Sequence, residues 1–72
     1  MKIHYYSETD SLYIDLSSKP STDSQEIRDG IVIDFDKEGH ITGVDIQNAS
    51  STLDLTSFEM TSLPTGITKI AS

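Results

Sequence analysis

The stretch from Ile31 to Ile46 constrains the fold more than any other. Ile31-Val32-Ile33-Asp34-Phe35 is a β-branched, apolar run with poor helix propensity. A polar turn with one glycine follows, and then Ile41-Thr42-Gly43-Val44-Asp45-Ile46. The string from Asp34 to Asp45 also falls near the register of an EF-hand calcium loop, with Gly39 at its bend and Ile41 at its apolar position. An EF-hand needs a helix on each side. Ile31-Val32-Ile33 opposes the first helix, and only Ile46 and Gln47 stand where the second would begin.

Two strands and a turn explain more residues. Lys37-Glu38-Gly39 forms a three-residue hairpin loop, with glycine in the left-handed conformation. Asp36 then pairs with His40, and Phe35 with Ile41. A plain ladder beyond this point would turn Asp45 into the apolar face. One extra residue at Thr42-Gly43, a β-bulge, restores the pattern. Val44 then faces Ile33, Ile46 faces Ile31, and Asp34 and Asp45 share the other face.

A second hairpin precedes it. Ile3-His4-Tyr5-Tyr6 reads as a strand, Ser7 to Ser11 as a polar turn, and Leu12 to Ser17 as a strictly alternating strand. Pairing residues whose numbers sum to seventeen sets Tyr5 against Leu12, Ile3 against Ile14 and Met1 against Leu16 on one face. Lys2 then meets Asp15 and His4 meets Tyr13 on the other, which places opposite charges together. Ser18 to Ser24 is a Ser/Pro-rich loop. Gln25 to Asp29 is a short polar edge strand anchored by Ile27, and Asp29-Gly30 is a turn. Ser51 with Asp54 three residues on resembles a helix N-terminus, so a short helix is expected within 51–60, with a strand as the alternative because Phe58 and Met60 alternate. Leu63-Pro64-Thr65-Gly66 breaks it, and 61–72 form a tail.

Size and charge bound the function. A single domain of 72 residues supplies a core worth only about 3–5 kcal/mol, so such chains lean on a partner subunit. There is no cysteine to staple it. The formal charge is −7, and Lys2, Lys19, Arg28, Lys37 and Lys69 are scattered singly. Nucleic-acid binding requires a basic stripe, so it is not expected. No run is apolar enough to span a membrane, and no apolar signal core follows Lys2. A cytoplasmic protein is the expectation, and its acidity favours a basic partner.

The candidate sites are few. Asp34, Asp36 and Asp45 form a candidate calcium or magnesium site, with Asp15 joining Asp34 and Asp45 on the sheet's polar face. His40 beside Asp36 is the start of a general-base pair, with nothing to complete it. His4, Tyr6, Tyr13, Asp15 and Val32 form a candidate interaction face, because tyrosine combines buried area with a hydrogen-bonding tip. No cofactor motif is present, and no catalytic residue is assigned.

The opening Met1-Lys2-Ile3-His4-Tyr5, the Asp10-Ser11-Leu12-Tyr13-Ile14 strand, the Gly30-Ile31-Val32-Ile33-Asp34-Phe35-Asp36 segment, Gly39, and Gly43-Val44-Asp45-Ile46-Gln47-Asn48-Ala49-Ser50 together resemble a small bacterial family, domain of unknown function 2283. The resemblance covers residues 1–50. Ser11 stands where the family usually has Ala, and Asp45 where it has Glu. The resemblance implies a bacterial, mostly β domain and brings no activity. It also suggests an antitoxin-like partner role.

The resulting expectation is a single α+β domain: an antiparallel β-meander of about five strands, packed on one face against a short C-terminal helix. Its expected role is a non-enzymatic protein-interaction module, a homodimer binding a basic protein partner. The alternatives are a divalent-metal-binding domain and a small enzyme.

Overall fold

The computed structural model describes residues 1–57 and 59. Five strands, β1 (Lys2–Tyr6), β2 (Ser11–Asp15), β3 (Asp23–Arg28), β4 (Ile31–Phe35) and β5 (Ile41–Ile46), precede one helix, α1 (Ala49–Thr52). All strand pairs are antiparallel, and the order across the sheet is β1-β2-β5-β4-β3. The fold is a small α+β sheet, but its strands do not follow one another as in a simple meander. The β1–β2 hairpin and the β3–β4–β5 unit join through β2 and β5.

Both hairpin registers follow from the alternation. Ile3 faces Ile14, Tyr5 faces Leu12, His4 faces Tyr13 and Lys2 faces Asp15. In the second hairpin Ile31 faces Ile46, Ile33 faces Val44 and Phe35 faces Ile41, with a register shift beside Asp34. Gly39 has φ +84° and closes the turn, donating to the Asp36 carbonyl at 3.0 Å. The bulged residue is Thr42. It is 2% exposed, its carbonyl accepts from the Leu16 amide at 2.9 Å, and its hydroxyl lies 2.8 Å from that of Ser21. The bulge therefore ties β5 to the end of β2 and to the loop before β3.

Direct cross-strand pairing builds the sheet in rows. On one face Ile3, Ile14, Val44 and Ile33 form a row, and Tyr5, Leu12, Ile46 and Ile31 another. On the other face the rows are His4, Tyr13, Asp45, Val32 and Glu26, and Lys2, Asp15, Gly43, Asp34 and Ser24. Ile46 and Ala49 are the buried apolar side chains among the described residues, and the rest of the apolar rows is half-buried or exposed.

Other expectations change as well. The edge strand β3 begins at Asp23, two residues early, because it pairs along the full length of β4. Ile27 falls at a register shift between Glu26 and Arg28 and is exposed, so it is no anchor. The helix is Ala49–Thr52 rather than 51–60, and the chain is extended at Leu53. Asp54 accepts from the amide and hydroxyl of Thr56, and such local side-chain bonds compete with a helix. Ser51 donates its hydroxyl to the Asn48 carbonyl at 3.0 Å and caps no amide. Over the described residues this helix buries only Ala49, so it does not cover the sheet. The 61–72 tail lies outside the described residues.

Candidate functional site

The polar face centres on Tyr13. Its ring belongs to β2, and it reaches over β5 at Gly43 to donate its hydroxyl to Asp34 Oδ2 of β4 at 2.9 Å. A Cβ on Gly43 would lie 2.6 Å from the ring carbon that bears the hydroxyl, a separation real side chains do not adopt. Position 43 therefore takes glycine because an aromatic ring crosses it, a pairing used elsewhere to cover sheet glycines. Ser24 donates to the other oxygen, Asp34 Oδ1, at 2.7 Å. Burial raises the Tyr13 phenol above its ordinary value, followed by the bond to Asp34 and the nearby charges of Asp34, Asp15 and Asp45.

His4, Tyr6, Tyr13, Asp15 and Val32 lie on this one face. The His4 and Tyr6 rings stack at 6.3 Å between centroids. His4 faces Tyr13, Tyr13 faces Asp45, and Asp45 faces Val32.

Asp34, Asp36 and Asp45 are not brought together. Among the described residues no group of three or more His, Asp or Glu side chains is placed to share a metal ion. Asp36 departs from the set because its own turn uses it. Oδ1 accepts from the amides of Glu38 and His40, each at 2.9 Å, and the residue is buried. The His40 amide is the largest influence holding this carboxyl below the usual range, against the cost of burial. His40 Nδ1 sits 3.6 Å from Asp36 Oδ2 and 3.8 Å from Glu38 Oε2, with the imidazole mostly exposed. The pair closes a turn. A hollow of about 390 Å³ lies beside it, lined by Lys19, Pro20, Thr22, Asp36, Lys37 and Glu38.

A second carboxylate cluster was not legible from spacing. Asp10 sits in the β1–β2 turn at φ 52°. Its carboxylate accepts from the Tyr5 hydroxyl at 2.7 Å, the Ser50 hydroxyl at 2.7 Å and the Ser50 amide at 3.1 Å. Its carbonyl accepts from the Ala49 amide at 2.8 Å. These bonds dock the start of α1 onto the first hairpin. The Ser50 hydroxyl, then that of Tyr5, holds the Asp10 carboxyl below the usual range. An aspartate in the turn before β2 was the one available signal.

The matched family closes over the same elements. A family model described as "Protein of unknown function (DUF2283)" matches residues 2–50. The chain belongs to the DUF2283 family. The matched span contains all five strands and ends at Ser50, the residue that bonds Asp10. Asp10, Tyr13, Asp34 and Gly43 thus all lie within the DUF2283 segment. No curated protein and no solved structure matches this chain. No helix among the described residues is long and apolar enough to cross a membrane.

Proposed function

We propose that this DUF2283 protein is a non-enzymatic interaction module that binds a basic protein partner and self-associates as a dimer. The observation that carries the reading is the gathering of Asp15, Asp34 and Asp45 around the Tyr13 hydroxyl on one open sheet face. Carboxylates beside tyrosine and histidine rings suit Lys and Arg side chains, which pair with the carboxylates and lie over the aromatic faces. Lys2 is the one cation in these rows. Asp34 is held by Tyr13 and Ser24, so Asp15 and Asp45 are the carboxylates left to meet a partner. An antitoxin-like role in the cytoplasm, with a small basic protein as the target, is the biological form of this reading.

A titration with a short Lys/Arg-rich peptide, followed by amide NMR, tests it. The amides of Tyr13, Val32 and Asp45 should shift together and saturate, and the Asp15→Asn/Asp45→Asn variant should lose the response. Shifts spread evenly over all acidic residues would mark nonspecific charge attraction and sink the reading.

A further inference from the structure

Exposed large apolar side chains crowd one edge of the sheet. Met1, Ile3, Tyr5 and Tyr6 expose 76%, 42%, 48% and 51% of their surfaces. The other such residues among those described, Ile27, Ile41 and Leu55, are scattered. Strand β1 pairs with β2 on one side and with no strand on the other, within the described residues. An open edge presents a row of backbone donors and acceptors to any incoming strand.

The two edges differ in how they meet that hazard. β3 carries Asp23, Glu26 and Arg28 and a register shift, which are devices that discourage pairing. β1 has an unbroken register, no proline, and no carboxylate between Met1 and Ser7. In a chain of charge −7, two copies repel over most approaches. β1 is the edge where they meet without facing carboxylates.

We propose that β1 pairs antiparallel with β1 of a second copy, about a two-fold axis at His4, to make one continuous ten-stranded sheet. Numbers of facing residues then sum to eight. Lys2 faces Tyr6 of the second copy, Ile3 faces its Tyr5, and His4 faces its own counterpart. The register is set by two requirements. A slip by one residue would put the apolar rows on opposite faces. A slip by two would leave part of the five-residue strand unpaired. At the sum of eight, Ile3 and Tyr5 extend the rows of Ile14 and Leu12 across the junction, and Lys2 lies against a tyrosine ring. The contact is isologous, so it closes at two copies. It is a small interface of the weak, transient class. The proposal rests on the self-association in the reading above; of the polar face it uses His4 and Tyr6 at the edge, and not Asp15 or Asp45.

The absence of cysteine makes the test direct. In this register His4→Cys sets two residues about 4.5–5.5 Å apart between Cα atoms, inside the range of about 4.4–6.8 Å that a disulfide spans. Lys2→Cys is staggered by four residues, about 13 Å. Sedimentation of the unaltered protein up to several hundred micromolar should show a dimer. Mild oxidation should link His4→Cys at least tenfold faster than Lys2→Cys or Glu26→Cys, with the Ile3–Ile14 contact retained by NMR. A monomer throughout the range overturns both self-association and the edge contact. A dimer in which His4→Cys links no faster than the other two overturns the edge contact alone.

Discussion

The Tyr13 hydroxyl reaches Asp34 Oδ2 at 2.9 Å by crossing Gly43, so one side chain connects three strands, β2, β5 and β4. β2 and β5 are also where the two strand units join. Gly43→Ala is therefore expected to destabilise the fold by about 1–3 kcal/mol, the usual cost of overpacking, by pushing the ring off Asp34. Tyr13→Phe keeps the ring over the glycine and loses only the bond, about 1 kcal/mol. The two changes share a contact and should not add. Denaturant melts of the single and double variants measure the coupling.

Gly39 is required for a different reason. Its φ is +84°, yet a Cβ there would meet nothing within 4 Å. Gly39→Ala should cost about 1–2 kcal/mol of backbone strain. A D-alanine at 39, which favours positive φ, should restore stability. The same replacement at 43 has no positive φ to serve. Thermal melts of chemically synthesised chains separate the two cases.

The hairpins were legible because period-two alternation fixes which residues share a face. A plain ladder would have turned Asp45 inward, so the bulge was legible too. Strand order was not, because no local pattern states that β2 must meet β5 rather than β3. The helix was misplaced because Asp54 serves Thr56, a local bond that the same letters permit equally well. Asp36 was counted as a free ligand, although the Glu38 and His40 amides occupy it. Asp10 passed as an ordinary turn residue because its partner Ser50 lies forty positions away. The polar-face residues Tyr13, Asp15 and Asp45 followed from parity alone, while the Tyr13–Asp34 bond depends on a ring leaning diagonally.

Acid should unfold the protein through Asp10 and Asp36. The Ser50 and Tyr5 hydroxyls lower the first carboxyl, and the His40 and Glu38 amides the second. A carboxyl with a depressed folded pKa binds its proton less readily folded than unfolded. Its contribution is complete above the unfolded value, about 3.9, and is lost as pH falls through that value to the folded one. Asp10→Asn and Asp36→Asn should each lower the melting temperature at neutral pH and flatten its decline in acid. Melts across the acid range test both, and an unchanged slope would remove the residue from the account.

Alkaline titration reads the same networks from the phenol side. The hydrogen bond to Asp10 is the largest cause raising Tyr5, and burial is the largest raising Tyr13. A raised phenol leaves stability intact below the unfolded pKa, about 10. Stability is then lost between that pH and the folded value, because the unfolded chain ionises first. Tyrosinate absorbance should show two late phenols. Asp10→Asn should bring Tyr5 most of the way back. Asp34→Asn should move Tyr13 only partway, since its burial remains.

Calcium and magnesium provide the last test, because the Asp34–Asp45 string looks like a cation loop and is folded as a bulged hairpin. A calcium loop would need Asp36 to turn its carboxylate outward. That would release the Glu38 and His40 amides, each bonded at 2.9 Å, and give up the bonds that brace the turn around the buried Asp36 side chain. Asp34 would likewise have to give up the Tyr13 and Ser24 hydroxyls. Neither ion should move the amides of Glu38, Gly39 and His40 or raise the melting temperature at millimolar concentration, the weak end of calcium modules. Ligand binding to the folded state always raises the melting temperature when it is strong enough to matter. A saturable joint shift of those three amides with calcium would show that the turn opens, and the Asp36 bonds would then be a latch rather than a brace.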